Sequence, residues 1–263
     1  MLLLGAMLIS SLTVAAQRTY YGFDANGYPG DDLLPALHQS FAYTGYWLNN
    51  PPGMTSDPWA GKRQVVRAAG LGFLVLFNGR LDAQLRNQNA ADLGRQDAAA
   101  AITAAKRGGF PMGAIVFLDQ EEGGSLLPEQ AVYMGAWIAT VNRSAYRAGV
   151  YCSGIPVQSG SVRISTAQDV AKRFSNVKLW VWNDQCPPAP GCARPGSLDP
   201  ETSGFEQALV WQYAQSPRRP EDTTSCRQTY AADGRCYAPG LPPSERTHLD
   251  LNVSRLADPS RGR

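Results

Sequence analysis

The sequence predicts an α/β fold, a closed barrel of alternating strands and helices in a single domain, and three observations carry that expectation. A length of 263 residues is close to the roughly 250 that α/β barrels use as one domain. Eight short apolar runs rich in β-branched and aromatic residues recur along the chain, with helical stretches between several of them. Several of the runs end in polar or acidic residues, as strands do at the mouth of such a barrel.

The first sixteen residues, Met1 to Ala16, carry no charge and read as a secretory signal, with Val14-Ala15-Ala16 supplying the small residues of a cleavage site. They lack a basic n-region, and the competing reading, a membrane anchor, asks for a longer stretch of roughly 20 residues. The barrel domain is expected over residues 19–258. Its strands are placed at Tyr20–Asp24, Phe41–Trp47, Phe73–Phe77, Ala114–Asp119, Gly149–Cys152, Leu179–Trp182, Leu209–Tyr213 and Leu249–Leu251. Asp97 to Lys106 reads as a helix with an acidic start and a basic end, stopped at Gly108-Gly109. Glu129 to Arg147 reads as another, with Val132, Gly135-Ala136 and Ala139 on the face that meets the sheet. Thr166 to Phe174 and Ala60 to Ala69 are further helices, and Cys186–Gly204 is expected as a long ordered loop.

With 44% hydrophobic and 17% charged residues the chain can bury a sizeable core, and 26 glycines and 19 prolines point to many tight connections. Against 22 acids, 24 Lys and Arg give no field that would imply nucleic acid, so a neutral or weakly charged ligand fits better. No segment after the signal is apolar enough to span a bilayer, and the chain is expected to work as a monomer away from the membrane. Export permits disulfides, and the close spacing of Cys186 with Cys192 and of Cys226 with Cys236 suggests two local staples. Cys152, in an apolar run, reads as a buried free thiol. No Cys-x-x-Cys occurs and His38 lies far from His248, so neither a metal nor another cofactor is expected.

The candidate chemistry sits where apolar runs stop. Asp24 ends the first, Asn78-Gly79-Arg80 follow Phe77, Asp119-Gln120-Glu121-Glu122 follow Leu118, Asn183-Asp184 follow Trp182, and Asp250 follows Leu249. Side chains alternate along a strand, so Asp119 and Glu121 are expected on one side, two carboxylates close enough to raise at least one pKa. Glycoside hydrolysis commonly uses such a pair, one group protonating the leaving oxygen and the other stabilising or attacking the sugar cation. The bland reading has Glu121 and Glu122 as solvated loop acids and Asp119 as a helix cap; Glu122 also rivals Glu121 if the strand bulges. Among aromatics near strand ends, Tyr46, Tyr151, Trp182 and Trp211 are candidates for sugar contact, with core packing as their alternative. Asn78, Arg80 and Glu122 complete the expected substrate-binding set, Arg80 having a surface pair with Asp82 as its alternative.

These residues fall in a recognisable order. Gly22-Phe23-Asp24, Gly72 to Arg80, Gly109-Phe110-Pro111, the Asp119-Gln120-Glu121 run, Tyr146 to Tyr151, Leu179 to Trp182, Trp211-Gln212-Tyr213 and Asp250-Leu251-Asn252 resemble a bacterial glycoside-hydrolase-like domain, similar in turn to family-25 lysozymes. The resemblance implies a modified (β/α)8 barrel of TIM type and, for the lysozyme relatives, cleavage of the β-1,4 bond between N-acetylmuramic acid and N-acetylglucosamine of peptidoglycan. It further implies Glu121 as the general acid, Asp119 as the partner that stabilises the developing charge or orients the substrate acetamido group, and Asp24 and Asp250 as supporting carboxylates. Two stretches depart from the lysozymes: Phe23-Asp24-Ala25-Asn26-Gly27-Tyr28-Pro29-Gly30 replaces their usual first-strand motif, and Asn78-Gly79-Arg80 resembles the glycoside-hydrolase-like domain instead of the lysozymes.

Overall fold

In the computed structural model, which describes residues 18–263, every predicted run contributes a strand to one closed barrel. The secretory signal expected over residues 1–16 lies outside the described residues. The chain begins with β1 (Tyr20–Asp24), α1 (Leu34–His38), β2 (Tyr43–Trp47), α2 (Arg63–Ala68) and β3 (Gly72–Asn78). It continues with α3 (Asp82–Leu85), α4 (Ala90–Arg107), β4 (Ile115–Asp119), α5 (Pro128–Asn142) and β5 (Arg147–Ser153). A small hairpin of β6 (Val157–Ser159) and β7 (Val162–Ile164) then precedes α6 (Thr166–Arg173), β8 (Lys178–Trp182), β9 (Ala208–Ala214) and β10 (Asp250–Ser254). Around the barrel the order is β1-β10-β9-β8-β5-β4-β3-β2.

The barrel is of the modified kind because β10 pairs antiparallel with both β1 and β9, while the other neighbours run parallel. The expectation that Asp250 ends a strand is therefore corrected: it begins one. The reversal nonetheless puts it at the mouth, opposite Asp24 in the register of β1 and β10.

Alternation along the strands fills the interior. Phe117 meets Trp180 edge to face at 5.9 Å inside the barrel, and Trp180 in turn packs against Tyr151 at 4.6 Å. Gly149 is required there, since a Cβ on it would stand 2.5 Å from the Phe117 ring. Outside the barrel, Phe73, Tyr46 and Phe110 form an edge-to-face cluster with ring centres 5.2–5.9 Å apart.

The helices differ from expectation at their edges. Asn89 caps α4 by accepting from the Asp92 N–H, so the helix starts well before Asp97. Helix α5 stops at Asn142, where Ser144 Oγ donates to Val141 O and the chain turns into β5. The face predicted for α5 is also corrected. It buries Tyr133, Met134, Trp137, Ile138 and Val141, while Val132 is 51% exposed. Large apolar side chains win the sheet-facing stripe because burial scales with apolar area. Of the small residues, Ala136 makes a close approach to α4, where a Cβ on Gly94 would stand 3.1 Å from its own, while Gly135 lies against Phe174.

The cysteine pairing is corrected as well. Cys186 joins Cys226 and Cys192 joins Cys236, with Cα atoms 5.5 and 5.3 Å apart, and Cys152 is buried and free as expected. The loop after β8 lies against the loop after β9: Cys186 N–H donates to Asp222 O and Cys192 N–H to Thr229 Oγ1. Each staple thus ties one loop to the other instead of closing its own.

Two outcomes test this packing. Gly149→Val is expected to lower stability by about 1–3 kcal/mol, the usual penalty of overpacking a filled core, measured by urea unfolding. Replacing Cys192 and Cys236 by Ser together is expected to remove about 2–4 kcal/mol by releasing a long loop, whereas a Cys186–Cys192 cross-link in non-reducing peptide maps would refute the pairing.

Candidate active site at the barrel mouth

Period-two alternation sends Asp24, Asp119, Tyr151, Gln212, Asp250 and Asn252 from five strands toward one polar cluster under the mouth. Asp24, 7% exposed, is its centre. Its Oδ1 accepts from Asn252 Nδ2 at 2.6 Å and from Gln212 Nε2 at 3.0 Å. Asn252 Oδ1 in turn accepts from Trp180 Nε1 at 2.8 Å, and Gln212 Oε1 accepts from the Tyr151 hydroxyl at 2.6 Å and Gln215 Nε2 at 3.0 Å. Asp250 Oδ1 accepts from the Ser216 N–H at 2.6 Å. Asp119 is buried, and its Oδ1 has no hydrogen-bond partner.

Burial dominates the electrostatics. It raises the Asp24 carboxyl to about 6, against the opposing pull of the Asn252 and Gln212 hydrogen bonds. Burial first, then the charges of Glu121 and Asp24, push Asp119 well above the usual carboxylate range. Asp250 is likewise held well up by burial and by Asp24. Desolvation also raises Glu121, the exposed member of the set. Burial, then the charges of Asp24, Asp119, Asp250 and Glu121, hold the Tyr151 hydroxyl well above its ordinary value. Burial and neighbouring charge thus both favour the protonated form of these acids.

A cavity of about 360 Å³ opens over this cluster on the side of Asp24 and Asp250, and Tyr28, Ser216, Arg246 and His248 share its wall. A larger one, about 540 Å³, lies at the opposite end of the barrel, away from the carboxylates. Among the described residues, no group of three or more His, Cys, Asp or Glu side chains is placed to hold a metal ion.

Several residues expected to bind substrate are engaged elsewhere. Tyr46 faces outward into the Trp59, Phe73 and Phe110 cluster and is 2% exposed. Trp211 also faces outward, fully buried, and donates from Nε1 to Asn183 O. Trp182 belongs to the inner face, but the Arg219 guanidinium lies 3.9 Å above its ring, held there by an ion pair with the buried Asp184. Asn78 is spent on Asn49 and Asn50, locking the loops after β2 and β3. Arg80 forms a two-pronged pair with Asp97 at 2.6 and 2.9 Å, not with Asp82, and Tyr133 donates to the same carboxylate. Glu122 Oε2 accepts from the Asp82 N–H and from Gln130, joining the first turns of α3 and α5. Tyr151 does join the cluster. Gln212 and Asn252 were not among the expected site residues; the available signal was a strong polar side chain at an inward position of an apolar strand.

The family model for the "Rv2525c-like, glycoside hydrolase-like domain" matches residues 42–190. Among solved structures, the chain is similar to an uncharacterized protein of B. stearothermophilus, with TM-score 0.55, 17% identity, and 89% of this chain and 95% of that chain covered. It is similar to the Tat-secreted protein Rv2525c of Mycobacterium tuberculosis, with TM-score 0.53, 13% identity and coverage of 94% and 98%. A family 25 glycosyl hydrolase of Bacillus anthracis gives TM-score 0.52, 11% identity and coverage of 89% and 88%. At such identities the likeness to these structures is one of fold. No curated protein matches the chain.

The raised Asp24 carboxyl links the site to stability. A folded-state value of about 6 against an ordinary 3.8 means that the native state holds the proton more tightly, so this group lowers stability as pH rises through that window. Asp24→Asn keeps an acceptor for Asn252 and Gln212 and removes the charge. Relative to the parent it is expected to gain on the order of 3 kcal/mol between about pH 4 and pH 7, read as diverging melting temperatures. Parallel pH profiles would contradict the assignment.

Proposed function

The chain belongs to the family of Rv2525c-like, glycoside hydrolase-like domains, and from that premise we propose that it is an extracytoplasmic glycoside hydrolase acting on cell-wall glycan of the peptidoglycan type. What supports this reading is the placement of acids at one end of the barrel: Asp24 and Asp250 paired across β1 and β10, and β4 ending at Asp119 with Glu121 two residues beyond. Glu121 is the exposed member and is held above its ordinary pKa, which suits a group that keeps a proton for the leaving glycosidic oxygen. Asp119 offers an oxygen with no donor, in a buried setting where its charged form is disfavoured until a positive partner arrives. The cation-like sugar ring of the transition state is such a partner for Asp119 in its ionised form, the form that turns over, so stabilisation is realised there more than in the ground state. Asp24 and Asp250 support the pair, and the Tyr151–Gln212–Asp24–Asn252–Trp180 chain of hydrogen bonds fixes the floor beneath them.

Location outside the cytoplasm is supported by the two disulfides, the uncharged apolar stretch over residues 1–16 and the similarity of fold to a Tat-secreted protein. The protein is proposed to act as a monomer, without a cofactor, on a polysaccharide.

One observation favours a second reading, a barrel that binds glycan or another surface polymer without cleaving it. The cavity at the mouth is walled by Asp24 and Asp250, and neither Asp119 nor Glu121 lines it. The two readings separate on one experiment. Release of reducing ends from purified peptidoglycan is expected from the wild type and is expected to fall by about 10²–10⁴-fold in Glu121→Gln, the range for loss of a general acid, with melting temperature preserved. Wild-type protein that sediments with peptidoglycan yet releases nothing would establish the binding reading instead.

A further inference from the structure

The cavity of about 540 Å³ at the other end of the barrel opens beside the first residues of β4, β5 and β8. Arg147, Lys178 and Arg261 line it, and no acid does. Among the described residues, none of these three side chains takes part in the ion pairs or side-chain hydrogen bonds, whereas Arg80, Arg173, Arg219 and Arg255 each hold a carboxylate. In a chain whose cations and acids nearly balance, three unpaired cations around one concavity are a local excess of charge.

Their convergence is imposed by the backbone. Arg147 and Lys178 open the adjacent strands β5 and β8. Arg261 arrives from the C-terminal segment, which crosses the base of the barrel and is hydrogen-bonded to it. Ser260 N–H donates to Phe73 O, Ile115 N–H to Ser260 O, and Val75 N–H to Ser260 Oγ, each at 2.8 Å. So anchored, Arg261 adopts left-handed backbone with φ 54°, a conformation that Cβ sterics disfavour. Asn142 braces the wall by donating to Asn176 O and accepting from Ala148 N–H, while Ser175 and Asn176 add neutral polar groups to the lining.

We propose that this basal cavity is an anion site for an organic phosphate, with Arg147, Lys178 and Arg261 supplying the charge. Three cations spread around a concavity suit an oxyanion that accepts on several sides, and two guanidinium groups match phosphate oxygens in pairs. The volume leaves room for the organic group beyond the phosphate. Strands of five to seven residues set this site roughly 15–20 Å from the carboxylates. A phosphate ester held here leaves the mouth open, so a polymer bearing such groups could tether the protein while the barrel acts on a neighbouring strand.

Titration of the purified protein with glycerol 3-phosphate, followed by backbone amide shifts, tests the site. Saturable shifts are expected at residues 113–115, 147–148 and 175–178, weakening as salt is added. Arg261→Gly, compatible with left-handed backbone, combined with Lys178→Gln is expected to weaken binding at least tenfold while the melting temperature holds. Glu121→Gln is expected to bind as the wild type does, so failure of the glycosidase reading and failure of this one are distinguishable. The proposal is overturned if glycerol 3-phosphate gives no saturable shift, or if the double variant binds undiminished. It is equally overturned if inorganic phosphate binds as tightly as the ester, or if phosphatidylglycerol vesicles bind where glycerol 3-phosphate does not.

Discussion

Because β10 runs against both of its neighbours, the residue that begins it lies level with the residue that ends β1, and Asp24 and Asp250 come to face each other across one register pair. Two residues further along, the same strand delivers Asn252 inward, where its side chain bridges Asp24 and Trp180. A parallel strand in that place would have carried these residues to the wrong depth. The mouth therefore depends on a hydrogen-bond pattern in the sheet before it depends on any acid, and the buried amides of Asn252 and Gln212 convert that pattern into a fixed position for a carboxyl group.

Holding several acids together in a buried place is unfavourable for the folded state at neutral pH, since each carboxyl is raised by burial and two of them further by their neighbours. The rest of the molecule supplies the compensation. An interior filled by Phe117, Trp180 and Tyr151 and two cross-links between the loops that follow β8 and β9 lie next to the cluster, and a shell of aromatic residues outside the sheet adds burial farther from it. The hydrogen-bonded part of the cluster rigidifies what surrounds it, while Asp119 Oδ1 and both polar atoms of the adjacent Gln120 side chain lie buried without a partner.

The strands were legible because period-two alternation and apolar runs are local properties; even their edges agree within a few residues. What local pattern could not convey was direction. Nothing in Leu249-Asp250-Leu251-Asn252 distinguishes a strand entering the mouth from one leaving it, so Asp250 was placed at the right end for the wrong geometric reason. The same blindness affects facing. Tyr46 and Trp211 lie in barrel strands as expected, yet alternation from Asp24 and Gln212, the inward reference points, turns both outward. Cysteine spacing in sequence likewise said nothing about two loops lying side by side. For α5, the spacing of the small residues points them at the sheet, whereas the sheet takes the bulky ones and Ala136 lies against α4 instead.

The outward turn of the aromatics bears on how a sugar would be held. Tyr46 and Trp211 are sealed behind the sheet, and the Trp182 ring is covered by Arg219, which Asp184 holds in place from a fully buried position. Of the aromatic residues expected at the mouth, these three thus offer no open platform, and on the proposed reading a sugar would be held chiefly by polar groups such as the Asp24 and Asp250 carboxyls that line the open cavity. Hydrogen bonding to hydroxyl and acetamido groups is more demanding in geometry than stacking, and it leaves a larger penalty when a group is missing. On the proposed reading, a mouth built in this way would discriminate by the pattern of substituents on the ring more than by the ring itself.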